Sequence, residues 1–257
     1  MSFRTRIVVT VSITACLTLQ LACSYLKRSG ATSEPTPPQP ELVQQIIDSY
    51  EKALGGKAAI DAVTTLTTRG TFTTSVFRDA GTFETWSKEP NKSLMTIDFP
   101  RLGKLKKGLD GDVRWVQTPL GTTSEQSPTA MAEIERDSDI YRAGKLAKLY
   151  ESIRFDMKAR NNGHDVYILE GKPAKGPSEK LFFNVQTGLL ERWDMARKQP
   201  GRGTVFVKVH LDDYRAVQGL KVPFSIRFAF ESFELLMKLD EVKHNVAIDD
   251  AMFRKPG

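Results

Sequence analysis

The chain has 257 residues and a formal net charge of +6, from 37 Lys and Arg against 31 Asp and Glu. Its basic residues are spread among acidic ones, which excludes the concentrated positive footprint of a nucleic-acid-binding protein. Both cysteines, Cys16 and Cys23, lie near the N-terminus, which excludes a disulfide framework, a cysteine metal site and a thiol nucleophile from the remaining chain.

The N-terminal segment has the pattern of a secretory signal. Arg4 and Arg6 precede an apolar stretch over residues 7–22, and polar residues within it leave fewer than the ~18 clean apolar residues of a membrane span. Cys23, at the expected cleavage point, resembles the lipobox cysteine of a bacterial lipoprotein. We therefore predict a signal peptide over residues 1–22 and lipid attachment at Cys23. Attachment at Cys16, and ordinary cleavage without a lipid, remain as alternatives.

Residues 23–40 are predicted to be a tether. Residues 29–40 contain four prolines and no large apolar side chain, so they cannot contribute to a core and favour an extended chain. The folded part is then a single domain over residues 41–257.

The first predicted helix covers residues 41–54. Apolar side chains recur there at helical spacing, and Gly55 and Gly56 end the pattern. Residues 58–63 add one more helical turn. The apolar stripe consists of Leu42, Val43, Ile46, Ile47, Tyr50 and Leu54.

From Thr64 onward the apolar period changes to two, which indicates strands. Their connections are mostly too short for crossover helices, so neighbouring strands should pair antiparallel. One apolar and one polar face on several strands predict a curved sheet with one buried side. The predicted strands cover residues 66–76, 81–88, 93–99, 104–109, 113–118, 153–160, 166–170, 179–185, 189–194, 204–212, 221–230 and 233–243.

Residues 127–150 interrupt the strand pattern with helical spacing. Ser127 and Pro128 suit a helix start. The apolar residues Met131, Ile134, Leu146 and Leu149 need an apolar partner. Our hypothesis is that this segment is a lid over a cavity mouth.

Two basic runs, at residues 104–107 and 197–202, have two interpretations. They can be a solvated edge strand and a solvated loop, or they can contact anionic lipid headgroups.

No motif for catalysis or metal binding is present. His164, His210 and His244 are not spaced as metal ligands, and the acidic pairs at 212–213 and 249–250 are typical of turns. We expect a protein that is not an enzyme and has no metal or cofactor.

An ordered set of motifs resembles the outer-membrane lipoprotein-sorting proteins, the LolA/LolB-like superfamily, over residues 41–256. Most of these motifs are turns and strand starts, so they specify a fold better than an activity. They are Leu54-Gly55-Gly56, Leu66-Thr67-Thr68-Arg69-Gly70-Thr71, Asp110-Gly111-x-x-x-Trp115, Phe182-Phe183-Asn184-x-x-Thr187-Gly188-Leu189-Leu190-x-Arg192, Asp213-Tyr214-Arg215, Gly219-Leu220-Lys221-Val222-Pro223-Phe224 and His244-Asn245-x-x-Ile248-Asp249-Asp250-x-x-Phe253.

The resemblance implies a mainly β (α+β) fold: an incomplete, strongly curved antiparallel β-barrel with an N-terminal helix and a helical lid segment. It also implies a cavity that binds acyl chains, without a cofactor. We assign its lining to the apolar faces of the last two strands and to two tryptophans, which are also compatible with ordinary core. The predicted cavity residues are Phe224, Ile226, Phe228, Phe230, Leu235, Met237, Leu239, Trp86 and Trp115.

The expected function is that of a monomeric periplasmic lipid-binding protein, a lipoprotein anchored to the outer membrane that takes part in lipoprotein or lipid trafficking. If the protein carries no lipid anchor, the alternative location is the soluble periplasm. The alternative function is an envelope sensor or scaffold of the same fold that binds a protein partner.

Overall fold

The computed structural model describes residues 40–76, 80–125, 145–199 and 203–257. All of them fall within one compact unit, Glu34–Gly257. None of the helices in these four ranges is long and apolar enough to cross a membrane.

Two helices open the described chain, as predicted. Helix α1 (Pro40–Leu54) buries one stripe of side chains, and α2 (Lys57–Asp61) follows directly. The chain leaves α1 through Gly55 and Gly56, whose φ angles of 130° and 96° lie in a region that favours glycine. The amide nitrogens of both glycines donate to carbonyls of the last helical turn, at Lys52 and Glu51, which ends the helix.

The described residues after α2 form thirteen strands, one short helix and a terminal 3-10 turn. The helix is α3 (Leu146–Leu149), and the 3-10 turn is Asp250–Phe253. The strands are β1 (Thr65–Thr74), β2 (Gly81–Lys88), β3 (Lys92–Phe99), β4 (Gly103–Asp110), β5 (Val113–Thr118), β6 (Gly121–Glu125), β7 (Ser152–Asn161), β8 (His164–Lys172), β9 (Glu179–Asn184), β10 (Leu190–Gln199), β11 (Gly203–Val217), β12 (Leu220–Ala229) and β13 (Glu234–His244).

All thirteen strands belong to one antiparallel sheet. Their order is β6-β5-β4-β3-β2-β1-β13-β12-β11-β10-β9-β8-β7, so each strand lies beside its sequence neighbour except where β1 meets β13 and where the sheet ends at β6 and β7. The predicted open, curved antiparallel sheet with an N-terminal helix is confirmed. Strand β6 was not predicted, because its sequence, GTTSE, has no apolar alternation. It lies at the edge of the sheet, where a strand does not need an apolar face.

The pairing of β1 with β13 joins the beginning and the end of the folded chain. Leu66 pairs with His244, and the register shifts between Arg69 and Gly70. Gly70 is required there, because a Cβ atom at this position would lie 2.0 Å from the carbonyl oxygen of Lys238. The side-chain oxygen of Asn245 accepts from the amide of Thr64 at 2.9 Å and secures the same seam.

The main core lies between α1 and one face of the sheet, which we call the inner face. Side chains of α1 such as Tyr50 pack there against residues of strands from both halves of the sheet, including Phe72, Phe83, Leu181 and Phe183. The rings of Tyr50 and Phe183 meet edge to face with their centroids 5.2 Å apart. The apolar stripe of α1 thus belongs to the same core as strands from both halves of the sheet.

Candidate functional site

An apolar wall runs along β12 and β13 on the inner face. Ile226 pairs with Met237, and Phe228 pairs with Leu235, so these four side chains meet across the two strands. Met237 is buried in the main core, whereas Ile226, Phe228 and Leu235 are half-buried at its margin. The wall therefore passes from closed core to apolar surface that a ligand can reach.

The wall continues onto the neighbouring strands β10 and β11. Val209 pairs with both Phe228 and Trp193, and Met195 and Val207 extend the cluster. Together with Ile226, Phe228 and Leu235 these residues form what we call the apolar wall.

Seven of the predicted cavity residues thus come together near the inner face, with different degrees of burial. Phe224, Met237 and Leu239 are core residues, each 8% exposed. Phe230 lies just after β12 and stacks on Phe233 with ring centroids 4.3 Å apart, so it belongs to a turn rather than to the strand.

Trp86 and Trp115 are not brought together with this wall. The register places them on the outer face: Trp86 pairs with Leu94, Leu94 with Gly108, and Gly108 with Trp115. They form a separate cluster with Ile248 and Phe253 of the C-terminal segment. The expectation that both indoles line the same cavity as Phe228 is corrected, because the alternation of β2 and β5 points them to the opposite side.

The predicted lid segment is described only at its end. Leu146 is buried in the main core and Leu149 is half-buried against it. Met131 and Ile134 lie outside the described residues, as do Cys16 and Cys23.

The last residue of this segment, Tyr150, contacts a buried carboxylate that sequence reasoning missed. Glu179 is fully buried and accepts hydrogen bonds from Tyr150 Oη at 2.6 Å, Trp193 Nε1 at 2.9 Å and Arg197 Nη1 at 2.9 Å. These three donors, one of them a charged guanidinium, compensate the buried negative charge, as a buried carboxylate requires. The available sequence signal was the alternation Glu179, Leu181, Phe183, which places a glutamate at a core position.

The basic run at residues 104–107 divides between the two faces of β4. Leu105 pairs with Ile97 and Lys107 pairs with Met95, and both partners pack against the main core from the inner face. Lys104 and Lys106 point to the outer side. One lysine of the run is therefore an inner-face residue.

The histidines and acidic pairs do not assemble a reactive site. His164 contacts Glu191 at 2.7 Å, while burial lowers the pKa of both His210 and His244 and favours their neutral forms. In the described ranges no group of three or more His, Cys, Asp or Glu side chains could hold a metal ion.

Two cavities of about 310 Å³ each share Asp240. One is lined by charges of both signs, among them Arg69, Glu84 and Asp98. The other reaches Phe224 and Leu239 of the predicted lining, but Asp213, Arg215, Ser225, Lys238 and Asp240 complete it. Neither offers the apolar enclosure that an acyl chain needs.

Two hairpin turns carry exposed leucines at one end of the sheet. Leu120 is 99% exposed between β5 and β6, and Leu102 is 58% exposed between β3 and β4. A Cβ atom on Gly103 would lie 3.2 Å from the ring of Pro119, so the two turns touch. The amide of Leu120 donates to Thr118 Oγ1 at 3.2 Å, which fixes the tip.

No model of a known protein family matches the sequence, and no curated protein is significantly similar to it. Solved structures do share its fold. A LolA superfamily protein from Nitrosomonas europaea superposes with a TM-score of 0.58 at 13% identity, covering 82% of this chain and 97% of that one. A DUF1329 family protein from Desulfovibrio piger gives 0.57 at 17% identity, with coverages of 82% and 97%.

A domain described as an outer-membrane lipoprotein-sorting protein, from Vibrio parahaemolyticus, gives a TM-score of 0.56 at 12% identity, with coverages of 83% and 94%. These likenesses extend over most of both chains. The resemblance seen in the sequence motifs is confirmed at the level of the fold: the chain folds like the LolA superfamily protein, at 13% identity.

Proposed function

We propose that this chain is a non-enzymatic lipid-binding protein of the bacterial periplasm that holds acyl chains against its inner face. The apolar wall is the observation that carries this proposal. Ile226, Phe228 and Leu235 are half-buried although they continue the main core. A contiguous apolar surface at the margin of an open sheet favours an apolar ligand.

The finer role follows from the predicted leader. A lipid on Cys23, followed by a Pro-rich tether, would hold the domain within reach of a membrane, and the role of such a protein is lipoprotein or lipid trafficking to the outer membrane. The three similar structures support the fold on which this role rests.

The exposed hairpin leucines are suited to contact with a bilayer surface. Leu102 and Leu120 are apolar tips on turns stiffened by Pro100 and Pro119, and Arg101 lies beside them. Leucine side chains gain about 1.5–3 kcal/mol each when they leave water, and a basic neighbour favours anionic headgroups. This end of the sheet is where the domain would meet the membrane.

A scaffold that binds a protein partner is the second candidate function. It is favoured by the mixed charge of the two cavities, since neither encloses an acyl chain. In that case the apolar wall would bind a peptide or protein surface.

Binding measurements on two adjacent residues of β13 test the main proposal. Leu235 faces Phe228 on the inner side, whereas Leu236 pairs with Arg227 on the outer side. We expect Leu235→Asn to weaken binding of a fluorescent fatty acid about tenfold, and Leu236→Asn to leave it unchanged. Native mass spectrometry of the gently purified full chain should show a bound lipid. A full chain that carries no lipid and binds no fatty acid would contradict the proposal.

A further inference from the structure

Strand β4 places one cation between two leucines on the inner face of the sheet. Its inner-face positions are Leu105, Lys107 and Leu109, in the alternation of a half-buried strand. A leucine-like residue is expected at the middle position, and lysine stands there instead. The alternation of β4 therefore singles out Lys107 from the rest of its basic run.

The two cross-strand partners of Lys107 are apolar, and Arg114, which pairs with Leu109, is a second cation on the same face. In the sheet register Lys107 faces Met95 on β3 and Val116 on β5. Met95 packs against the main core, so the apolar inner face continues directly from the lysine. An aliphatic chain whose polar end lies at Lys107 would find apolar contacts from its first carbons onward.

The electrostatic surroundings of Lys107 favour an anion. Its side chain is exposed to solvent, yet burial of its surroundings lowers its pKa, and the nearby charge of Arg114 lowers it further. Among the described residues Lys107 has no ion-pair partner, and both causes of its lowered pKa disfavour the charged form of the amine.

We propose that Lys107 binds the anionic group of an amphiphilic ligand whose acyl chain lies on the apolar inner face, which makes the protein selective for lipids that carry a carboxylate or a phosphate. This inference rests on the proposed lipid-binding function and names its ligand class. A charge-assisted hydrogen bond to an anion would satisfy the ammonium group and relieve its repulsion with Arg114.

Ligands matched in chain length separate the anionic group from the acyl chain. Binding of palmitate and 1-hexadecanol to the full chain would be measured by equilibrium dialysis, with lysophosphatidic acid and monopalmitoylglycerol as the phosphate pair. We expect Lys107→Met to weaken binding of the anionic member about tenfold and to change binding of the neutral member less than about twofold. Loss confined to palmitate identifies a fatty acid, and loss confined to lysophosphatidic acid identifies a phospholipid.

Two matched variants serve as controls. Lys106→Met makes the same change on the outer face of the same strand and should leave all four affinities unchanged. Lys107→Arg keeps the charge and should keep the preference for the anionic ligands. The inference is overturned if Lys107→Met lowers the affinities for anionic and neutral ligands equally, or lowers neither. If the wild-type chain binds none of the four ligands, the lipid-binding function itself is wrong.

Discussion

The indole nitrogen of Trp115 donates a hydrogen bond to the backbone carbonyl oxygen of Phe253 across 2.8 Å. Both side chains are almost completely buried, at 1% and 0% exposure. The ammonium group of Lys88 lies 2.7 Å from Asp250 and ties the same segment to β2. The C-terminal segment is thereby fixed across the outer face of β2 to β5, and Trp115 is a structural residue.

We expect Trp115→Phe to lower the free energy of unfolding by about 1–3 kcal/mol, because the carbonyl of Phe253 loses its buried donor. Fatty-acid affinity should not change, since this cluster lies away from the inner face. Denaturant unfolding and a lipid titration on the same sample would measure both. Weaker lipid binding with unaltered stability would instead return Trp115 to the ligand site.

Phe228 and Phe183 should respond differently to truncation. Phe183→Ala removes a ring that is 1% exposed and should cost about 3–5 kcal/mol of stability. Phe228→Ala, at the half-buried margin, should cost less than about 2 kcal/mol while weakening acyl-chain binding. If Phe228→Ala proves as destabilising as Phe183→Ala and lipid binding is unchanged, this part of the wall is ordinary core.

Lys107 should destabilise the ligand-free protein. Its pKa is lowered on folding, so between that pKa and the ordinary lysine value near ~10.4 the unfolded chain binds more protons. Stability contributed by this group therefore rises with pH through that window. Lys107→Met should raise the free energy of unfolding at neutral pH by less than about 1 kcal/mol, because the exposed side chain is screened by solvent.

The difference between Lys107→Met and wild type should shrink as the pH approaches the ordinary lysine pKa, since the amine of the folded protein has by then lost its proton and no longer carries the unfavourable charge. Among the described side chains, Arg114 supplies the charge that acts on Lys107, and arginine does not titrate in this range. Thermal unfolding between pH 7 and pH 10 would measure the effect. A difference that is constant with pH would exclude Lys107 as its source.

Removal of the hairpin leucines should weaken docking to membranes. In a background that carries both Cys16→Ser and Cys23→Ser, which removes both candidate lipid-attachment sites, we expect Leu102→Ser with Leu120→Ser to reduce co-sedimentation with phosphatidylglycerol-containing vesicles about tenfold. Val113→Ser is the control, because Val113 is 47% exposed but begins β5 at the end of that strand away from Leu120. Equal losses for the control and the double variant would exclude a specific docking end.

The predicted anchor has its own test. Cys23→Ser should move the protein from the membrane fraction to the soluble periplasm, and Cys16→Ser should leave it in the membrane fraction. Mass spectrometry of the N-terminal peptide would identify the acyl group. A wild-type protein that is already soluble, with no acyl mass on either cysteine, would show that the leader is an ordinary signal.

The fold could be predicted where one residue pattern dominates. The stripe of α1 and the alternation Phe224, Ile226, Phe228 were sufficient for a helix over an antiparallel sheet, because each pattern matches one backbone period. Strand β6 escaped prediction because hydrogen bonding to β5, and not burial, defines it. The predicted strand over residues 204–212 was also shorter than β11 (Gly203–Val217). The second half of β11, where Tyr214 packs against the core, departs from simple alternation.

The candidate site was only partly predictable for a related reason. Alternation assigns each residue of a strand to one of two faces. It does not show which of these faces lies on the same side of the sheet as a given face of a distant strand. Trp86 and Trp115 needed the register from β1 to β5 before they could be placed on the outer side. The buried interactions of Glu179 depend on residues from three separate segments, which no local pattern reveals.

The pairing of β1 with β13 also determines when during folding the sheet can be completed. A hydrogen bond from Thr65 to Val246 joins positions 181 residues apart, and the six strands β1 to β6 connect to the rest of the sheet through β13. Contacts of such long sequence separation slow folding. The two halves of the sheet therefore cannot join until β13, the last strand, has been synthesised.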